Sequence, residues 1–138
     1  MRILIVDDYE PWRGYVRSIL AANADIEIVG ESADGLDAIK RSEELQPGLV
    51  LLDIQLPSMN GLEVARQIGV VSPGSEVLFL SSTQSVEVMR EALKFGSGFV
   101  MKSDAEQDLL PIVQAICRNE PFVRFRFLDE HSSNGDES

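Results

Sequence analysis

Four short apolar runs in this chain each end on residues able to do polar chemistry. Arg2–Val6 (RILIV) runs into Asp7 and Asp8, and Leu49–Leu52 (LVLL) into Asp53. Glu76–Leu80 runs into Ser81 and then Ser82, and Gly98–Met101 into Lys102. If those ends meet, carboxylates, a hydroxyl and an ammonium share one crevice. Crowded carboxylates repel, and either proton uptake or a bound cation relieves them. Oxygen-only ligands at this density suit Mg²⁺, which keeps several waters and takes one or two carboxylates directly. A carboxylate beside that ion can attack an in-line phosphoryl group. The ion, a lysine and a hydroxyl would then share the three equatorial oxygens as charge develops.

Each residue alone has a plainer reading. The Asp pair could close a turn, and Asp53 could be a turn residue before Pro57. Ser81 and Ser82 could simply cap the next helix, and Lys102 could be a solvated charge. The functional reading rests on the conjunction: four separate strand ends each supply a group that the same reaction needs.

The elements between these ends must bring them together. Pro11–Ala22 reads as a helix with Trp12, Val16, Ile19 and Leu20 on one face, and Pro11 is tolerated in its first turn. Ile26–Gly30 reads as a second strand and Ala33–Leu45 as a second helix, stopped by Gln46-Pro47-Gly48. Leu49–Leu52 is apolar on both faces, as a central parallel strand should be. Asn60 is expected to cap a third helix with Glu63 as its capping-box partner. Ser85–Phe95 reads as a fourth helix, and Ser103 to Glu106 as a second capping box opening a helix to about Arg118. Five β-α units imply an α/β fold, a (βα)5 doubly wound five-stranded parallel sheet of flavodoxin-like strand order 2-1-3-4-5. Ligands of such sheets sit beyond the carboxyl ends of the strands, where Asp7, Asp8, Asp53, Ser81 and Lys102 fall.

The bulk numbers agree with one domain: 138 residues, 44% of them hydrophobic, allow a single real core. No apolar run approaches the roughly 20 residues that cross a bilayer. The one cysteine, Cys117, precludes an intrachain disulfide, so a cytoplasmic location is the expectation. The one histidine, His131, falls in a polar tail, which leaves His-based metal sites and catalytic triads poorly supported. A net charge of −11 repels phosphate backbones and anionic membranes, so neither direct nucleic-acid contact nor membrane binding is expected.

The segments VDDYE, VLLDIQLPSMNGLE, VLFLSS and GFVMKS resemble the boxes of two-component response regulator receiver domains. IEIVGESADGLDAI and LQPGLVLLDIQLPSMNGLE are typical of the NarL/FixJ class. The resemblance runs from Met1 to about Arg118. It implies a receiver over residues 1–118; residues 119–138 are expected to be a partly disordered C-terminal tail because DEHSSNGDES, beyond Leu128, is polar and charged. It also implies that Asp53 accepts a phosphoryl group from a histidine kinase or phosphotransfer protein. Asp7 and Asp8 would hold Mg²⁺ together with Asp53 and the backbone carbonyl of Gln55. Lys102 would bind the phosphoryl group and Ser81 would be the switch hydroxyl, favoured over Ser82 because it directly follows the apolar strand. Phe99 is either the switch aromatic or a plain core residue, the two readings being equally weighted. Gln55 and Ser82 lie where the family tunes access and dephosphorylation. The downstream partner is unknown, and a homodimer formed on phosphorylation is one candidate output.

The family often has Lys-Pro with a cis peptide where this chain has Lys102-Ser103. Without proline a cis bond costs about 2.5–4 kcal/mol, so the isomer stays open. Two rivals remain. A metal-dependent aspartyl phosphohydrolase would place a second Asp two residues after its nucleophile, where this chain has Gln55. A pseudo-receiver would lack part of the Asp7, Asp8, Asp53 and Lys102 set. After Arg118 some 20 residues remain, which would make the chain a stand-alone receiver or a truncated regulator. Among them, residues 123–127 (VRFRF) alternate as a half-buried strand does, to fold back on the body, pair with a sheet edge, or dock loosely as a terminus.

Overall fold

The computed structural model describes residues 1–82 and 85–120, so the expectations for residues 123–127, and for the tail beyond residue 120, lie outside the described residues. Strand β1 spans Arg2–Val6, helix α1 Glu10–Leu20, β2 Glu27–Ser32 and α2 Gly35–Leu45. They are followed by β3 Leu49–Asp53, α3 Gly61–Val71, β4 Glu76–Ser81, α4 Val86–Phe95 and β5 Gly98–Met101. A short 3-10 turn, Lys102–Asp104, leads into α5 Ala105–Cys117. All four strand pairings are parallel, in the order β2-β1-β3-β4-β5. The expected doubly wound (βα)5 sheet is therefore the fold observed.

Alternation along the strands builds two cores, because successive side chains point to opposite faces. Leu4, Val6, Val50, Leu52, Phe79 and Phe99 face α2, α3 and α4. Ile3, Ile5, Leu49, Leu51, Leu80 and Val100 face α1 and α5. Cover on both sides explains why these runs read as unbroken apolar stretches.

Element ends differ from the sequence reading by a residue or two. β3 and β4 each run one residue further than expected, so Asp53 and Ser81 are themselves ladder residues, opposite Leu80 and Met101. β2 starts one residue later than expected and continues to Ser32, across a register shift between Ile3 and Leu4. α2 is capped by Asp34, whose side chain accepts from the Asp37 N–H at 2.9 Å. It is stopped by Gln46 in the left-handed region (φ 47°), not by a glycine. The Gln46 amide also donates to the Val71 carbonyl at 3.0 Å, tying α2 to the end of α3.

Neither capping box forms. Asn60 does cap α3, accepting from the Leu62 N–H at 2.7 Å, but Glu63 turns away to make two bonds to Arg66. At α5 the 3-10 turn already engages the leading backbone, with the Ala105 N–H bonded to the Lys102 carbonyl, and no side chain caps the helix.

One glycine in α3 packs directly on the Asp53 backbone. A Cβ on Gly61 would lie 2.5 Å from the Asp53 carbonyl oxygen and 2.5 Å from the Ile54 Cα. The Gly61 N–H in turn donates to the Ile54 carbonyl at 2.8 Å. Gly69, in the same helix, is exposed and has nothing within 4 Å of such a Cβ. Gly69→Ala is therefore expected to stabilise by up to about 1 kcal/mol through helix propensity. Gly61→Ala is expected to destabilise by about 1–3 kcal/mol, because backbone must move to admit the methyl. Urea unfolding of the two variants checks this, and equal signs would contradict it.

Candidate functional site

The four strand ends do meet. Asp7 follows β1, Asp53 and Ser81 close β3 and β4, and Lys102 follows β5, all at the carboxyl edge of the sheet. Asp7, Asp53 and Ser81 are buried, whereas Asp8, Gln55 and Ser82 are exposed. Asp7, Asp8 and Asp53 each offer a carboxylate oxygen, and these oxygens lie within 4.8 Å of one another. Hard oxygen donors, two of them withdrawn from water and one open to it, form a cluster able to hold a metal ion.

Backbone amides fix how the buried carboxylates are turned. Asp7 Oδ1 accepts from the Tyr9 N–H at 2.8 Å, and Asp53 Oδ1 from the Gln55 N–H at 3.0 Å. Their other oxygens face Lys102. Its Nζ lies 2.6 Å from Asp7 Oδ2 and 3.5 Å from Asp53 Oδ2. The lysine thus leans towards Asp7, a pairing across 95 residues of chain that no local pattern discloses. The Lys102–Ser103 peptide is trans.

One ammonium does not balance this many carboxylates. Burial pushes the Asp53 carboxyl up from 3.8 to about 6; the neighbouring Asp7 adds to the rise, while the Gln55 N–H and Lys102 oppose it. Desolvation therefore outweighs the single cation.

Sequence reasoning singles out neither Arg13 nor Arg17, and gives Glu31 no part in the site. Arg13 Nη1 donates to the Asp7 carbonyl at 2.6 Å, and its Nε pairs with Glu31 at 3.0 Å. Arg17 also pairs with Glu31, so α1 and β2 are cross-linked beside the Asp7 backbone. Trp12, read from sequence as a core residue of α1, places its ring 5.0 Å from Lys102 Nζ. Phe99 is buried in the core opposite Phe79. Residues 54–60 and Val88 line a cavity of about 490 Å³ beside the Asp53 loop.

No helix among the described residues is long and apolar enough to cross a membrane. The family model described as "Response regulator receiver domain" matches residues 3–114. The response regulator protein VraR of Staphylococcus aureus is 35% identical over 121 residues, covering 87% of this chain and 58% of VraR. The chain thus spans somewhat over half the length of the curated relatives it matches. Among solved structures, the response regulator domain of Thermotoga maritima CheB superposes with a TM-score of 0.78 at 26% identity, over 88% of this chain and 98% of that one. The signal receiver domain of the putative response regulator NarL from Mycobacterium tuberculosis gives the same TM-score and identity, over 85% and 95%.

Proposed function

The chain belongs to the response regulator receiver domain family of two-component systems, and from that premise we propose that Asp53 is its phosphoacceptor. The observation that carries this reading is the placement of Asp53. It is a buried carboxylate locked in the ladder, turned by one amide, and faced by both a lysine and a second carboxylate. The receiver unit would cover residues 1–118.

Asp7, Asp8 and Asp53 fit a divalent cation by donor type, with the Gln55 carbonyl as a further oxygen. Mg²⁺, when bound, would neutralise charge on the transferring phosphoryl group. The protein's own residues do the rest. The Gln55 N–H holds the Asp53 carboxylate in one rotation. A carboxylate oxygen forms the new O–P bond as the bond between phosphorus and the donor breaks, and the donor leaves with that electron pair. Lys102 shifts from Asp7 towards the phosphoryl oxygens, and Ser81 offers its hydroxyl to another. Phe99 already lies in the core beside α4, so as switch aromatic it would repack there, with β5 and α5, when Ser81 moves, and so present a changed face to a reader. Gln55 and Ser82, exposed at the rim, would set the lifetime of the acyl phosphate, which their alanine variants would change.

The phosphodonor would be a histidine kinase or phosphotransfer protein. The output would be an unidentified partner or a second copy of the chain, in the cytoplasm. A net charge of −11 argues against direct contact with nucleic acid.

Calorimetric titration with Mg²⁺ should show one site per chain. Asp8→Asn should weaken it about tenfold or more, since an exposed ligand is lost without a core defect. Binding unchanged by that substitution would remove Asp8 from the ligand set. With Mg²⁺ and acetyl phosphate, intact mass should then rise by a single phosphoryl group. Fast steady release of phosphate with no modified protein would favour a hydrolase instead.

A further inference from the structure

We propose that Trp12 is a positioning residue for Lys102: its indole face holds the ammonium at the mouth of the site, between Asp7 and Asp53. The proposal rests on the reading of Asp53 as phosphoacceptor. A lysine has a four-carbon stem with several rotatable bonds, and nothing in the backbone after β5 dictates where its charge goes. Three groups surround Nζ: Asp7 Oδ2 at 2.6 Å, Asp53 Oδ2 at 3.5 Å, and the Trp12 ring with its centroid at 5.0 Å. The last distance lies within the reach of a cation–π contact, and indole is the strongest partner for one. Unlike a third carboxylate, the ring attracts the ammonium without adding negative charge to an already crowded site. It also takes up none of the N–H donors that a phosphoryl oxygen would need.

The ring itself is held. Pro11 precedes it in the first turn of α1, and it packs against the α1/α5 core. It meets Tyr15 at 5.3 Å between centroids with an interplanar angle of 47°. Its indole N–H is covered yet has no protein hydrogen-bond partner. As a packing residue Trp12 is thus inferior to a leucine or phenylalanine, which would bury no unpaired donor. What the indole offers over leucine is a face for the cation.

The test compares Trp12→Phe, which keeps a ring, with Trp12→Leu, which keeps only apolar bulk. Mg²⁺ affinity is read by calorimetry and phosphoryl uptake from acetyl phosphate by intact mass at saturating Mg²⁺. Trp12→Leu is expected to slow uptake about three- to thirtyfold, the range a partly desolvated cation–π contact spans. Mg²⁺ affinity should stay within about twofold of the parent, since no ligand is altered, and Trp12→Phe should recover most of the rate. In a Lys102→Met background the same substitution should have no further effect, as a residue acting through Lys102 requires. Parental rates in Trp12→Leu, or an undiminished effect in the Lys102→Met background, would overturn the proposal. Failure of the parent itself to take up a phosphoryl group would overturn the Asp53 reading instead. The proposal would then be decided by the NMR shift of the Lys102 ε-methylene protons. A ring-current displacement present in the parent and in Trp12→Phe but absent in Trp12→Leu supports it, and no displacement in the parent sinks it.

Discussion

Lys102→Met is expected to destabilise the protein by about 2–4 kcal/mol at pH 8 in metal-free buffer. Methionine keeps the length of the stem, so the loss is one of charge rather than of packing. The ammonium is the near neighbour of two carboxylates whose side chains are only 2% and 5% exposed. Removing one partner of a buried pair costs about 3–5 kcal/mol, because the other charge remains without compensation. The lower figure allows for the open side of the cluster at Asp8 and for proton uptake by Asp53. Lys102 is one of the groups that hold the Asp53 pKa down, so its loss sends that pKa higher still. The deficit should therefore shrink at pH 5, where protonation relieves the cluster. Urea unfolding with EDTA at the two pH values measures this, and an equal cost at both would assign Lys102 a packing role.

Asp53→Asn should do the opposite, stabilising the apoprotein by about 3 kcal/mol at pH 7. The sign follows from proton uptake. The Asp53 carboxyl titrates near 6 in the folded protein against an ordinary value of 3.8. Between those values the unfolded chain has already lost its proton while the folded one keeps it. Stability is therefore lost as pH rises through that window, and the full cost is present above about pH 6. A gap of about two pH units corresponds to about 3 kcal/mol. Asparagine mimics the protonated acid, so the variant and the parent should match near pH 4 and diverge towards pH 7. Asp37, whose Ser32 hydrogen bond lowers its pKa, has the opposite dependence, but it contributes equally to both proteins and cancels in the comparison. Adding Mg²⁺ to the parent should recover stability by binding linkage. A variant less stable than the parent at pH 7 would mean that attraction to Lys102 outweighs burial at Asp53.

These two expectations come from one cluster, and most of its members are legible in the sequence. Asp7, Asp53, Ser81 and Lys102 each directly follow an apolar run, and in a parallel sheet the ends of such runs share an edge. Asp7, Asp53, Ser81 and Lys102 were therefore placed by chain order alone. Their mutual geometry was not. Lys102 leans on Asp7 rather than Asp53, beside the ring that α1 places there, and the Gln55 amide turns Asp53. Local sequence encodes neither. The capping boxes show the converse failure. The motif at Asn60 and Glu63 was present, but Arg66 offers Glu63 a charged partner one turn away and prevails. At Ser103 a 3-10 turn takes the place of a side-chain cap. The constraint at Gly61 is equally invisible from sequence, because only the folded loop brings the Asp53 carbonyl within 2.5 Å of its missing Cβ.

Locating the modification tests the role of Asp53 most directly. The protein is incubated with Mg²⁺ and acetyl phosphate, reduced with borohydride and read by tandem mass spectrometry. Borohydride converts an aspartyl phosphate to homoserine and leaves free carboxylates alone. Homoserine is expected at position 53 and nowhere else. Homoserine at position 7 or 8, or at no position in protein that intact mass shows to be modified, would contradict that role.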